Sequence, residues 1–275
     1  MSIKLIALDI DHTLINSAEQ LTSETQKTLI TAKNRRIKVV LCSGRPARGV
    51  KKLLQELDLN GQDDQYLICL GGSFIQTTNG ESLYFKKISA KQIFKLYYLS
   101  HLYGLKIQFE GSDSNMYTPE RNVSPVTVHF CDRGSLPLCY RTIDEIMALS
   151  IAKAVVVGDE DQITSFKKVI NTELKFQLND MEVIASEVNA IEFNAKNVSK
   201  GNALDFLGKE LDITKDEMMA VGDQSNDLSM LNYVKYSVAM GNAIPEVKQA
   251  AHYLTDDNDH DGVAHIVQRL VLNEE

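Results

Sequence analysis

No apolar run in the chain approaches the ~18 residues that a membrane span needs. The first residues also lack the basic start, long apolar stretch and small-residue cleavage site of a secretory signal. Together these absences predict a cytoplasmic protein with no membrane partner. Cysteine is sparse. Cys42, Cys69, Cys131 and Cys139 include no C-x-x-C pair, and two of them sit in apolar strand-like runs. Reduced core thiols are therefore expected in place of a zinc site or a disulfide. Neither G-x-x-x-x-G-K-[ST] nor G-x-G-x-x-G occurs, which leaves nucleotide binding of those kinds without support. Basic charge is in deficit, with 29 Lys and Arg against 37 Asp and Glu and a net charge of −8. Such a balance argues against a nucleic-acid partner and requires a local positive site for any anionic substrate. There is no internal repeat and no low-complexity linker.

What is present is an ordinary globular composition, 44% hydrophobic and 24% charged over 275 residues, enough for one large or two modest domains. The chain begins with a short apolar run, Lys4-Leu5-Ile6-Ala7-Leu8, that reads as a buried strand. Two carboxylates spaced by two, Asp9 and Asp11, follow at its end. In extended backbone both point to one side. Two like charges that close are costly without a cation. A divalent metal would keep Asp9 ionised as a nucleophile, and mutual repulsion would keep a proton on Asp11 as a general acid. That division of labour suits phosphoryl transfer, although Asp-x-Asp alone equally describes a solvated turn.

The rest of the chain repeats the same arrangement of strand, polar loop and helix. Ser23 with Gln26 fits a capping box for a helix running to about Arg35. The strand at 37–42 ends in Ser43-Gly44-Arg45-Pro46, where a hydroxyl and exposed amides at a helix start make a cradle for phosphate oxygens. A helix carrying Val50, Leu53, Leu54 and Leu57 leads to a strand at 66–70 that closes on Gly71-Gly72. This alternation is that of a parallel sheet, whose ligands gather at the carboxyl ends of its strands.

Asn79-Gly80 then marks a hairpin, and the rhythm changes. Ser89 is expected to cap a helix through Tyr103, and strands are expected at 106–109, 126–130, 154–157 and 181–184. Residues 83–189 read as an inserted second domain, with residues 1–82 and 190–275 forming a discontinuous core that resumes at Ile191-Glu192-Phe193-Asn194. Lys200 falls at a helix start, the wrong end for the helix dipole. Neutralising a phosphate or Asp9 would explain that position. The strand at 218–221 ends in Gly222-Asp223-Gln224-Ser225-Asn226-Asp227. There Asp223 offers an oxygen to magnesium, Asn226 a donor to phosphate, and Asp227 a means of orienting Lys200. Asp257-Asn258-Asp259-His260-Asp261-Gly262 imitates half a calcium loop, but Gln268 stands where the bidentate glutamate belongs, and a polar turn is expected.

Taken in order, Asp9-Ile10-Asp11-His12-Thr13-Leu14, Ser43-Gly44-Arg45-Pro46, Lys200-Gly201 and Gly222 to Asp227 resemble the four motifs of the haloacid dehalogenase-like superfamily. The large insertion after the second motif, with Ala239-Met240-Gly241-Asn242-Ala243 and Asp261-Gly262-Val263-Ala264, is similar to its Cof-type phosphatases. The resemblance implies an α/β fold, a Rossmann-like parallel-sheet core with an inserted α+β cap domain. It implies that Asp9 forms an aspartyl phosphate while Asp11 serves the leaving alcohol and then water. Magnesium would rest on the Asp9 side chain, the Asp11 carbonyl and Asp223. Phosphate would meet the Ile10 amide, Ser43, Gly44, Lys200 and Asn226, with Thr13 and Asp227 in support. The substrate would be a small phosphorylated metabolite, most simply a sugar phosphate. Two positions depart from the group: His12 replaces a usual glycine, and Gly71 replaces a usual asparagine. They are the sequence support for one alternative, a catalytically weak metabolite-binding regulator; a second, a phosphotransferase or mutase, stays open because the same aspartyl intermediate can pass to a sugar hydroxyl. Oligomeric state is not legible.

Overall fold

A computed structural model describes residues 2–272, without the side chains of residues 185 and 186. The chain divides into two compact units. One comprises Met1–Arg45, Val50–Tyr84 and Ser199–Glu275; the other comprises Pro46–Gly49 and Phe85–Val198.

The first unit opens with β1 (Leu5–Leu8), buried at every residue, as a strand inside a parallel sheet requires. It continues through α1 (Ser23–Asn34), β2 (Lys38–Cys42), α2 (Ala47–Glu56) and β3 (Tyr66–Cys69), then β4 (Phe74–Thr77) and β5 (Ser82–Phe85). The cap of α1 is Thr22, whose hydroxyl accepts from the Thr25 amide at 3.2 Å, so Ser23 is the first helical residue and not the cap.

The second unit contains α3 (Ala90–Leu102), β6 (Lys106–Gly111), β7 (Met116–Thr118), α4 (Pro125–Gly134), β8 (Leu138–Tyr140) and α5 (Ile143–Met147). It ends with β9 (Ile151–Val157), α6 (Glu160–Thr172), β10 (Met181–Glu187) and β11 (Ala190–Ala195). Ser89 caps α3 in a full capping box with Gln92, as expected. The strands form a six-stranded sheet in the order β10-β11-β9-β6-β7-β8. One face, carrying Ile107, Phe109, Ala154, Val156, Ile191 and Phe193, packs against Ile93 and Leu96 of α3 and Ile163 and Phe166 of α6.

Two expectations fail in this unit. The segment 126–130 is helical, because Ser124 caps it and Pro125 occupies its first turn, signals that outweigh the alternation of Val126, Val128 and Phe130. Ile191 to Asn194 does not return to the first sheet. It lies in β11, antiparallel between β9 and β10, and the unit closes at Val198. An apolar strand reads alike whichever sheet receives it, which is why the boundary at 189/190 is displaced.

The chain then completes the first unit with α7 (Lys200–Leu211), β12 (Met218–Gly222), α8 (Leu228–Leu231), β13 (Tyr236–Ala239), α9 (Pro245–Ala250), β14 (Tyr253–Leu254) and α10 (Gly262–Val267). The sheet order is β14-β13-β12-β1-β2-β3-β4-β5. Strand β1 is parallel to both neighbours, with Leu8 beside Leu41 and Val221. Chain order runs outward in both directions from β1 and β12, so the switch point of the sheet lies between them. No helix among the described residues is long and apolar enough to cross a membrane.

Candidate active site

Asp9 is the first residue beyond β1, and its amide still donates to the Val221 carbonyl at 3.1 Å. The same register brings the ends of β12 and β2 alongside it, which delivers Asp223 on one side and Ser43 on the other. Lys200 enters from the first turn of α7, capped by Ser199, and is 1% exposed. Its ammonium donates to the carboxylate of Asp9 and, at 2.6 Å, to Asp227 Oδ1. The cost of placing a cation at this helix end is offset by two buried anions.

Asp227 is committed on both oxygens. Its Oδ2 accepts from the amides of Asp223 at 2.9 Å and Gln224 at 3.1 Å, so the side chain closes its own loop while aiming Lys200. Gly222 makes that closure possible, because a Cβ there would lie 2.6 Å from the Asp227 carboxylate. Asp223 is fully buried. Thr13 donates to its Oδ1 at 2.9 Å, whereas Oδ2 has no hydrogen-bond partner among the described residues.

Oxygens of Asp9, Asp223 and Asp227 lie within 4.8 Å of one another. Three carboxylates against one ammonium leave an excess of two negative charges in a buried volume. The titration behaviour follows. Burial first, and then the charge of Asp227, raises the Asp9 carboxyl well above the usual range. Burial and Asp227 likewise raise Asp223. Lys200 shifts upward despite its burial, because Asp227 and Asp9 hold its proton. We read the whole as a stable ammonium inside an acidic excess that one ammonium does not balance. A hard divalent cation fits this donor set, since carboxylate oxygens are its preferred ligands and Asp223 Oδ2 is an acceptor otherwise left unsatisfied.

Asp11 has a cation of its own. It faces Arg45, whose Nη2 donates to Oδ1 at 2.6 Å and Nε to Oδ2 at 3.1 Å, a bidentate pair. Burial opposes the guanidinium charge, but Asp11 outweighs it and raises Arg45 overall. Each of the two acids thus has a cation in contact, Lys200 for Asp9 and Arg45 for Asp11. Arg45 belongs to the Ser43-Gly44-Arg45-Pro46 motif, but the sequence alone gives it no role, because a contact across 34 residues has no local signal. The Arg45 amide also donates to Ser43 Oγ at 3.1 Å, tying the second motif to Asp11. Ser43 is buried, and Gly44 and Asn226 are exposed. Ile10 is buried immediately beyond Asp9.

The two departures have backbone explanations. His12 has φ 59° and Gly71 has φ 67°, both left-handed. Glycine and asparagine are the residues that adopt this region most readily, so Gly71 keeps the turn, and His12 accepts strain where glycine would not. Asn242 Nδ2 donates to the His12 carbonyl at 2.8 Å, and Asn258 Nδ2 donates to the Ile15 carbonyl at 3.0 Å, so the loop is pinned at both points. Sequence reasoning missed both amides. The acids of the calcium-like turn are engaged as acceptors, Asp259 from Ser17 and Asp257 from His260. His12, Ser17, Asp223, Gln224, Asn242, Asp257, Asn258 and Asp259 line a cavity of about 340 Å³. The four cysteines are free thiols, and burial pushes Cys42 up to about 12.

Comparison with known proteins agrees with this construction. The family model for haloacid dehalogenase-like hydrolases matches residues 6–267. YxeH of Bacillus subtilis, provisionally named a phosphatase, is 36% identical and aligned over 98% of each chain. The 5-amino-6-(5-phospho-D-ribitylamino)uracil phosphatase YcsE of the same organism is 28% identical over 99% of this chain and 97% of its own. A haloacid dehalogenase-like hydrolase from Bacteroides thetaiotaomicron superposes with a TM-score of 0.87 at 29% identity, covering 98% of this chain and 99% of that one. With the match spanning every element from β1 to α10, the chain belongs to the haloacid dehalogenase-like hydrolase family.

Proposed function

We propose that the protein is a magnesium-dependent phosphatase of small phosphorylated metabolites, working through an aspartyl phosphate. The observation that carries this reading is the buried cluster in which Lys200 bridges Asp9 and Asp227 beside an unpartnered oxygen of Asp223. Asp9 attacks phosphorus and the bond to the alcohol oxygen breaks, while Asp11 protonates that oxygen. Water then attacks the aspartyl phosphate, its proton returns to Asp11, and phosphate leaves with Asp9 restored. Lys200, Ser43, Asn226 and the amides of Ile10 and Gly44 receive the phosphate oxygens. Arg45 holds Asp11 in place through both states.

Magnesium would be held by the Asp9 and Asp223 carboxylates with the Asp11 carbonyl, and would supply charge neutralisation for the phosphoryl group. Thr13 and Asp227 orient these groups. Phosphoryl transfer needs positioning and neutralisation above all, and the acidic excess with a single fixed ammonium supports that assignment. The YcsE name denotes a phosphate ester of a polyol side chain, which supports a hydroxylated small substrate here. We assign selection of the alcohol to the second unit, and the location to the cytoplasm.

Phosphate release should be measured from sugar phosphates, nucleotides and an aryl phosphate, with magnesium and with chelator, for wild type and Asp9→Asn. Magnesium-dependent release lost in Asp9→Asn is the expected result. Turnover that requires an added acceptor would move the assignment to a phosphotransferase, and metabolite binding without turnover would move it to a regulator.

A further inference from the structure

The loop after Asp9 makes one wide turn, closed by the Ile15 amide donating to the Ile10 carbonyl at 3.1 Å. Within it Asp11 is extended (φ −70°, ψ 125°) and His12 is left-handed (φ 59°, ψ 9°), a region that any residue with a Cβ enters at a cost. That step decides where a carbonyl points. The peptide unit joining Asp11 to His12 is planar, so ψ of Asp11 and φ of His12 together aim the Asp11 carbonyl. A relaxation of His12 to negative φ would swing it away.

Two asparagines from distant parts of the chain hold the turn. Asn242 Nδ2 donates to the His12 carbonyl at 2.8 Å, the Asn258 amide donates to Asn242 Oδ1 at 3.2 Å, and Asn258 Nδ2 donates to the Ile15 carbonyl at 3.0 Å. The relay brackets the turn from His12 to Ile15. The stretch that carries Asn242 also grips the loop after β12, because the Met240 amide donates to the Gly222 carbonyl at 3.1 Å and the Ile244 amide to the Asp223 carbonyl at 3.0 Å. Thr13, next to His12, donates to Asp223 Oδ1 at 2.9 Å and closes the circuit. Gly241 lets these loops nest, since a Cβ there would lie 2.8 Å from the Asp257 nitrogen.

The calcium-like turn belongs to the same device. Asp259 accepts from the amide and hydroxyl of Ser17 at 2.8 and 2.7 Å, and Asp261 accepts from the hydroxyls of Thr22 and Thr25. Its acids thus fasten the chain that follows the first motif, with Asn258 between them. We propose that Asn242, seated by Asn258, is a positioning residue: it keeps His12 left-handed and so holds the Asp11 carbonyl and the Asp223 carboxylate in the one relation that binds magnesium. It acts through the backbone and touches neither metal nor phosphate. The proposal rests on the magnesium reading for its affinity measurement and on the fold alone for its exchange measurement.

The test is a double-mutant cycle on the full chain with Asn242→Ala and His12→Gly. Asn242 is exposed, so the alanine variant loses little packing and should fold. Glycine adopts the left-handed region without penalty, and His12→Gly should therefore make the turn less dependent on its clamp. Calorimetric titration with magnesium should show affinity about 10-fold weaker in Asn242→Ala than in wild type. In the His12→Gly background the same change should weaken it by only about two- to threefold. Hydrogen exchange of the Ile15 amide in the metal-free chain should be about 10-fold faster in Asn242→Ala, with a smaller acceleration in the glycine background. Magnesium affinity within twofold of wild type in Asn242→Ala, or an equal loss in both backgrounds, would overturn the proposal and leave Asn242 as an ordinary structural contact. If wild type binds no magnesium, the magnesium reading fails by itself. Exchange then decides: coupled acceleration supports the clamp on His12, and unchanged or uncoupled exchange overturns it.

Discussion

Replacing Lys200 by methionine keeps the volume of the side chain and removes its charge, leaving Asp9, Asp223 and Asp227 with oxygens within 4.8 Å of one another and no cation among them. Lys200 is 1% exposed and Asp227 fully buried, so solvent does little to screen the loss. Breaking a buried ion pair from one side costs about 3–5 kcal/mol. At roughly 2–4 °C per kcal/mol for a chain of this size, the melting temperature should fall by about 6–20 °C.

The sign with pH is also fixed. Without Lys200, the Asp9 carboxyl, already raised by burial and by Asp227, rises further above its unfolded value of about 3.9. The folded chain then binds more protons than the unfolded one. Stability is fully present below the unfolded value and is lost as pH rises through the folded one. Urea titrations of wild type and Lys200→Met in chelator, from pH 4 to 8, should show a small gap at the acid end that widens steadily. Lys200→Met combined with Asp227→Asn should close part of it. A gap under about 1 kcal/mol at pH 8, or one that narrows with rising pH, would refute the acidic-excess argument.

Magnesium at 100 times its dissociation constant should stabilise wild type by about 2.7 kcal/mol. Asp223→Asn, which alters the oxygen left unpartnered, should show little of this in the same thermal-shift experiment. Arg45→Ala frees Asp11 from its bidentate partner. It should lower kcat by about 10-fold or more and displace the pH–rate profile, and an unchanged profile would remove Arg45 from the acid–base apparatus. Glu217, lowered to about 2 chiefly by its hydrogen bond from Lys4, contributes stability that is present above the ordinary glutamate range and is lost as pH falls toward 2. Glu217→Gln should therefore flatten the acid limb of the stability curve between about pH 4.5 and 2, which acid titration of the two proteins would reveal.

The parts of the site that were legible lie within a few residues of a strand end. Asp9, Ser43 and Asp223 each stand where an apolar run gives way to a polar loop, and a parallel sheet brings such places together whatever the intervening chain does, while Lys200 was legible from its place at a helix start. Arg45, Asn242 and Asn258 were not legible as functional groups. Their partners Asp11, His12 and Ile15 are supplied by folding across 34, 230 and 243 residues. The strand misassigned at 126–130 shows a second limit. Val-Thr-Val-His-Phe carries the period of a strand, but its conformation is decided at Ser124 and Pro125, outside the pattern. The misplaced boundary shows a third, because the hydrophobicity of Ile191 and Phe193 says that a strand is buried and not which sheet buries it.

The position of β1 has a consequence for how the protein comes into being. Its two neighbours are β2, thirty residues away, and β12, which starts at Met218. At roughly 5–20 residues per second, a ribosome needs about 10–40 seconds after making Leu8 to supply the strand that covers its second edge. Until then an apolar ribbon stays open on one side, a template for pairing with any other nascent chain. Asp9 is among the first residues made, whereas Lys200, Asp223 and Asp227 come late in the chain. No chain that stops short of Asp227 holds the whole cluster, and the second edge of β1 has no strand to cover it until Met218–Gly222 are made.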